Sequence, residues 1–417
     1  MPADMKHAAT PGRPGLVLAL CILALMIDGA DIQLMAFAAP QVIDGWGISK
    51  AALAPALAAA LAGMTVGAAI GGMLGDRMGR RPAILVSLLV SGVLTLATGF
   101  AADVPQLVLL RLVAGIGYGA LYPNAFALIA ETVAERRRAQ TIILATIGTP
   151  LGGVLGAAVC SVVLPAYGWQ STFMGAGGLT LLACAAMYFL LHESPDFLRA
   201  VRQAVKPKGA GLLAPGYVRR TTGLWVLALA SGYAGFAFLH WVPTLLASHG
   251  FSVSLAVAGS FALNAALIVG TLGMAAAIRR IGSKRGLVLA IVLVMSGTVL
   301  LATALSAMSG LPVAVFVALV LIGAGVGAVA SVQFVLCVEL YPVESRARGG
   351  GTANAMSRLG AVAVAFGAAA ALGGDGGNAV AFGFMVVTAL ALAMVGALII
   401  DRHVVPAAVR EGTDSPI

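Results

Sequence analysis

Four ionisable side chains lie where a hydrocarbon environment makes them costly. Asp28, Asp31, Arg111 and Arg358 sit well inside long apolar runs of a 417-residue chain. A charge at the centre of a bilayer costs roughly 2.5–3.5 kcal/mol or more, so such residues mark substrate paths and proton relays. Two acids and two bases could simply neutralise one another, yet apolar residues would avoid the desolvation cost altogether. The chemistry these types suggest is anion recognition joined to proton exchange. A guanidinium offers paired donors to a carboxylate. A carboxylate in a partly dry site, beside a like charge, exchanges a proton readily.

Spacing refines the roles. Asp28 and Asp31 are three residues apart and share a helix face, and Gly29 between them lets another backbone approach. With a helix starting near residue 15, Asp28 lies about 20 Å and Asp31 about 24 Å into the bilayer. Arg111 falls at the depth of Asp28, so Asp28 is expected to be its charge partner and Asp31 the proton carrier. Arg358 lies in the other half of the membrane with no acid at its depth, which marks it as a substrate-anion contact. Tyr118 and Tyr122, and Tyr233, Phe236 and His240, follow helical spacing and could stack a ring. Asn124 and Gln333 are candidate polar contacts. Ordinary packing and interhelical hydrogen bonding are the alternatives for each of these.

The elements that must position these residues are membrane helices. Hydrophobic residues make up 60% of the chain, charged residues 10%, and the mean hydropathy is +1.01. A soluble chain carries roughly a quarter charged residues. Apolar runs near the ~20 residues of a bilayer span recur throughout, and the ten-residue alternation of a membrane barrel is missing. We read twelve helices, at 15–38, 51–74, 83–101, 105–130, 140–164, 171–191, 222–246, 254–277, 287–308, 311–338, 351–373 and 378–400. The first run is a span rather than a cleavable signal, because it continues past a signal-peptide core. The domains are an N-terminal tail (1–14), a six-helix bundle (15–191), a central loop (192–221), a second bundle (222–400) and a C-terminal tail (401–417).

Charge placement supplies the topology. Of the 25 Lys and Arg, 22 fall in the tails, the central loop and the loops on the same side as these. That bias places both termini in the cytoplasm. It also accounts for the net charge of +9 without nucleic acid. Cys21, Cys160, Cys184 and Cys337 lie in apolar runs and read as packing residues. No metal-ligand cluster, nucleotide loop or catalytic triad stands out, so neither an enzyme nor a metal or other cofactor is expected. A receptor would need a signalling domain that this chain lacks.

The two halves repeat. Gly115-Ile-Gly-Tyr-Gly119 answers Gly323-Ala-Gly-Val-Gly327, Glu131 answers Glu339 and Arg138 answers Arg346, each at an offset of 208. Parallel six-helix repeats with a site near the midplane describe a rocking transporter. The turn after the second span reads Gly75-Asp76-Arg77-Met78-Gly79-Arg80-Arg81. Its glycines permit a tight turn, and its charges, with Glu131, Glu339 and Arg346, can latch the halves at their helix ends.

This turn resembles the signature loop of the major facilitator superfamily, and Arg111-Leu-Val-Ala-Gly115-Ile-Gly117 agrees with the fourth span of that family. Closer similarity lies in Asp28-Gly29-Ala30-Asp31, in Tyr122-Pro123-Asn124 with Glu131, in His240-Trp241-Val242-Pro243, and in Tyr341-Pro342 followed by Arg346, Arg348, Asn354 and Arg358. Together these resemble the aromatic acid:proton symporter family. The resemblance implies a monomeric twelve-helix carrier in a bacterial inner membrane that imports a benzoate-like carboxylate with protons. Three features depart from the pattern, the first being Ala30, where members of that family often carry a bulkier residue. Ser283 stands where the repeated turn would carry its Asp, which weakens a second latch. Gly148-Thr-Pro-Leu-Gly-Gly153 resembles the glycine-proline motif of exporters and keeps drug:proton antiport as the alternative.

Overall fold

The computed structural model describes residues 14–48, 50–202, 211–251, 253–306, 312–372, 379–401 and 403. The chain forms α1 (Pro14–Trp46), α2 (Lys50–Met78), α3 (Arg80–Thr98), α4 (Val104–Thr132), α5 (Glu135–Ala145), α6 (Gly148–Leu190), α7 (Pro195–Arg202), α8 (Val218–Ser248), α9 (Val253–Ser306), α10 (Pro312–Glu339), α11 (Arg346–Leu372) and α12 (Ala379–Ile399). Two of these hold more than one crossing. α6 breaks at Gly168 and α9 at Gly282, with φ of 78° and 74°. α5 and the first part of α6 make the fifth crossing, and the two parts of α9 make the eighth and ninth. Among the described residues these helices make twelve crossings. The N- and C-terminal tails lie almost wholly outside the described residues, as do 203–210 of the central loop.

Several boundaries differ from the sequence expectation. The loop read at 75–82 shrinks to Gly79, whose φ of 103° reverses the chain in one residue. Only glycine takes that conformation without strain. Asp76 and Arg77 therefore sit on the last turn of α2, and Arg80 opens α3. The central polar stretch contains α7, a short helix that hydropathy could not signal. Ser194 caps it by accepting the Phe197 N–H at 3.1 Å, and Pro195 fills the first helical position. α4 starts the same way: the Asp103 carboxylate accepts the Gln106 N–H at 2.8 Å.

Small residues bring the helices together in a way that repeats. On α2, a Cβ at Gly63 or Gly67 would fall on the backbone of Leu112 or Ile116 in α4. In the second half, a Cβ at Gly270 would fall on Ala324, and Gly323 and Gly327 of α10 meet Leu263 and Leu267 of α9. Between membrane helices, where burial from lipid gains little, close backbone approach supplies the packing energy. The glycine series of the fourth and tenth spans are thus packing faces. Outward, residues such as Leu182, Phe189 and Phe384 stay exposed for lipid. α1 to α6 pack among themselves, as do α8 to α12, and the two sets meet chiefly where α2 faces α11 and α5 faces α9 and α10.

Candidate functional site

Charged and aromatic side chains form three groups, two of which lie along the seam between the halves. The first is wholly inside the N-terminal set. Arg111 of α4 grips Asp31 of α1 with two bonds, Nη1 to Oδ1 at 3.1 Å and Nη2 to Oδ2 at 2.5 Å. Thr95 of α3 donates to the same carboxylate at 3.1 Å, and the Phe173 ring lies 5.3 Å under the guanidinium. Tyr118 joins this knot, its hydroxyl 3.4 Å from that of Thr180. Arg111 is fully buried and Asp31 nearly so.

This pairing corrects the expected one. Depth counting matched Arg111 to Asp28, but its side chain reaches the acid one turn further along α1. Rise per residue locates a Cα, whereas a long guanidinium stem spans a full turn, so depth alone could not choose between acids three residues apart.

The second group spans both halves. Asp28 is completely buried, and among the described residues neither of its carboxylate oxygens has a hydrogen-bond partner. Its electrostatic neighbours are Arg358, Tyr122 and Asp31. The expectation that Arg358 has no acid near it is thereby corrected: α11 leans across the seam and brings the guanidinium within Coulombic range of Asp28. Arg358 lies between two rings, 5.5 Å from the centroid of Tyr122 and 5.7 Å from that of Phe236. Tyr122 stacks in turn on Phe334 of α10 at 6.0 Å, and Phe334 on Phe126 at 4.5 Å. The Tyr122 hydroxyl bonds the Thr149 hydroxyl of α6 at 2.6 Å. α6 comes this close because Gly29 has no side chain; a Cβ there would collide with the Thr149 carbonyl. Gly152 likewise lies against Met26, so the exporter-like glycines of α6 have a packing explanation in α1. A narrow crevice lined by Tyr122, Phe126, Phe334, Arg346 and Asn354 runs from here to the third group.

Other candidates lie apart from these contacts. Asn124 donates to the carbonyls of Gly71 and Ala120 at 2.9 and 2.8 Å, which clasps α4 to α2. Gln333 accepts from Ser231 of α8 at 2.6 Å. The Tyr233 hydroxyl rests against Gly367 of α11. The side chain of His240 lies outside the described residues.

The third group closes the basic end. Glu131 of α4 receives Arg80 at 3.1 Å and, across the seam, Arg346 of α11 at 3.3 Å. Asp76 pairs with Arg80 at 3.2 Å and accepts the Arg348 backbone N–H at 3.0 Å, on the first turn of α11. That placement uses the positive end of a helix. Arg138 reaches Glu339 at 3.8 Å, a partly exposed pair of lesser weight. Arg77 is exposed, and Gly75 packs against Asn124. Glu193, which spacing did not single out, accepts the backbone N–H groups of Arg80 and Arg81 at 3.0 and 3.2 Å. Burial nonetheless holds its carboxyl above the usual carboxylate range. Its sequence signal was the Ser194-Pro195 cap that follows it.

The arrangement offers a desolvated acid, a base held between rings, and a latch that shuts one end. Known proteins bear on it. The family model described as Major Facilitator Superfamily matches residues 21–295. The gallate transporter of Pseudomonas putida is 29% identical over 60% of this chain, which spans 63% of that protein. The 3-(3-hydroxy-phenyl)propionate transporter of Escherichia coli (strain K12) is 30% identical over 85% of this chain and 86% of its own length. Among solved structures, the proton:xylose symporter XylE superposes with a TM-score of 0.76 at 19% identity, over 92% of this chain and 94% of that one. Twelve crossings in two like halves, the charged turn at Gly79 and these matches have one reading: this multi-pass membrane protein is a transporter of the major facilitator superfamily.

Proposed function

We propose that the chain is a proton-coupled symporter that imports a small aromatic carboxylate by alternating access. One observation carries this reading. Arg358 is held between Tyr122 and Phe236 beside Asp28, a buried acid whose oxygens take no hydrogen bond among the described residues. A guanidinium so placed can take a carboxylate by its paired donors while the flanking rings face an aryl group. A carboxylate buried in a transport path beside a guanidinium is a candidate carrier of the proton. The sequence expectation gave the proton to Asp31; the geometry favours Asp28, since Asp31 is committed to Arg111. Gallate and hydroxyphenylpropionate, named for two relatives, carry both a ring and a carboxylate, which supports the substrate class.

Direction and topology complete the proposal. Loading protons with the anion from outside lets the proton gradient drive accumulation of a negatively charged solute. The basic end, latched by Asp76, Arg80, Glu131 and Arg346, is the cytoplasmic end by the distribution of Lys and Arg. Both termini then face the cytoplasm of a bacterial inner membrane, and the working unit is the monomer. The bundles at 15–191 and 222–400 are the two moving bodies. The test is uptake of a panel of radiolabelled benzoates, gallate and phenylpropionates into proteoliposomes, with and without an imposed pH gradient. Gradient-dependent accumulation of an aryl acid is expected. Accumulation of none of them, with expulsion of cationic drugs on the same gradient, would overturn the reading in favour of antiport.

A further inference from the structure

Asn124 and Asn354 are both buried, and they are used differently. Asn124 of α4 donates to the Gly71 and Ala120 carbonyls. Asn354 of α11 has only 5% of its surface exposed, yet its amide nitrogen has no hydrogen-bond partner among the described residues. Asparagine is a weak helix former, and burying an amide without a partner costs free energy. Packing alone offers this residue no return at this position.

Asn354 lines the narrow crevice together with Tyr122, Phe126 and Phe334. The phenol and the guanidinium on the same walls are committed elsewhere. The Tyr122 hydroxyl bonds Thr149, and Arg346 bonds Glu131 and the Val338 carbonyl. The Asn354 amide is thus left on the wall of an aromatic crevice with donors to give. This crevice adjoins the anion site, because Tyr122 lines it and holds Arg358 5.5 Å from its ring centroid. Asn354 and Arg358 are i and i+4 on α11, so they share a face and stand about 6 Å apart along the axis. A benzene ring that separates a carboxylate from a ring substituent bridges a gap of that order. The walls belong to both halves: Tyr122 and Phe126 come from α4, Phe334 from α10 and Asn354 from α11. Parting the halves widens the crevice, and closing them brings the amide toward a ring held between them.

We propose that Asn354 selects the substrate by its ring: with the carboxylate on Arg358 and the ring against Tyr122 and Phe334, the Asn354 amide bonds a ring hydroxyl. The ligand class is a hydroxylated aryl carboxylate. The inference rests on the aryl-acid reading above and adds a specificity-determining residue to it. A phenol suits the amide in either orientation, because each group both donates and accepts. A methyl group in the same place has similar bulk but leaves the amide unpaired. Sites built to bond a substrate hydroxyl reject the analogue that lacks it for this reason. Water competes for the same amide, so the net preference is that of one neutral hydrogen bond, about fivefold to tenfold in affinity.

Hydrogen bonding and shape are separated by comparing hydroxyl with methyl. The Kd values of 3- and 4-hydroxybenzoate and of 3- and 4-methylbenzoate are measured by titration calorimetry on the purified full chain in detergent, at a pH where all four acids are ionised. Wild-type protein should favour hydroxyl over methyl by about fivefold to tenfold at one of the two ring positions. Asn354→Leu keeps the approximate size of the side chain and removes its donors, and the preference should then fall to within about twofold of unity. Asn354→Ala, which adds no bulk to the crevice, should do the same. Neither variant loses a hydrogen bond, and thermal unfolding checks that both fold; should one fail, the other decides. A wild-type protein indifferent to the hydroxyl at both positions overturns the role of Asn354, as does a preference that survives in a folded variant. Both results leave the aryl-acid reading standing. A wild-type protein that binds none of the four acids overturns that reading together with this one.

Discussion

The two acids of α1 are separated by one helical turn, yet their neutralisation should have very different consequences. Asp31 accepts two bonds from Arg111 and one from Thr95, all buried. Asp31→Asn keeps the shape but leaves Arg111 as an uncompensated charge. Breaking one side of a buried pair costs about 3–5 kcal/mol. Asp28 accepts no hydrogen bond among the described residues, so Asp28→Asn loses none. Its effect on stability should stay within about 1 kcal/mol of zero. The assay is thermal unfolding in detergent beside the amount of folded protein in membranes, with both single variants compared at neutral pH. Adding Arg111→Gln to Asp31→Asn removes the orphaned charge, and the double variant should recover at least about 2 kcal/mol of the single variant's loss. Equal losses from the two Asn variants would refute the reasoning, as would a double variant no more stable than Asp31→Asn.

Three more expectations follow from the same contacts. Arg358→Lys keeps the charge but loses the planar fork and its stacking between rings, so substrate affinity should fall by about one to two orders of magnitude; an unchanged binding constant by scintillation proximity would contradict the anion role. Asp76→Asn weakens the charge held at the first turn of α11 and should raise the exposure of the basic end, read as faster labelling of a cysteine placed in the crevice near Asn354, with membrane levels close to wild type; unaltered labelling would reduce Asp76 to a packing residue. Glu193 is held above its ordinary value of 4.5, mainly by burial, so its contribution to stability is complete below that value and fades as the pH rises through the raised one. Glu193→Gln, an acceptor without charge, should flatten the fall in stability seen in thermal unfolding as the pH rises above that ordinary value, and parallel curves for the two proteins would dismiss it.

Much of this protein is decided by composition and period, because a bilayer leaves a chain few options. Backbone groups in hydrocarbon must bond within their own segment, so each long apolar run had to be a helix, although its ends, such as Trp46 of α1, could not be read from hydropathy. The repeat was visible because identical packing problems, glycine faces at α2–α4 and α9–α10, received identical solutions at a fixed offset. The ion pairs among Asp76, Arg80, Glu131 and Arg346 were foreshadowed too, since charges clustered at helix ends beside glycine are placed to meet one another. Tertiary structure decided the partners. Whether Arg111 meets Asp28 or Asp31 depends on how far a side chain reaches, a matter of one turn that spacing along α1 cannot resolve. Asn124 and Tyr118 have the types of substrate contacts but face neighbouring helices, and nothing in an i,i+4 pattern distinguishes a lumen-facing position from a packed one. Arg358 gained Asp28 and the Tyr122 ring only when α11 met the N-terminal half, while the Phe236 ring comes from α8 of its own half. Short-range physics wrote the helices and their turns; contacts between residues as far apart as 28 and 358 exist only once the two halves close on each other.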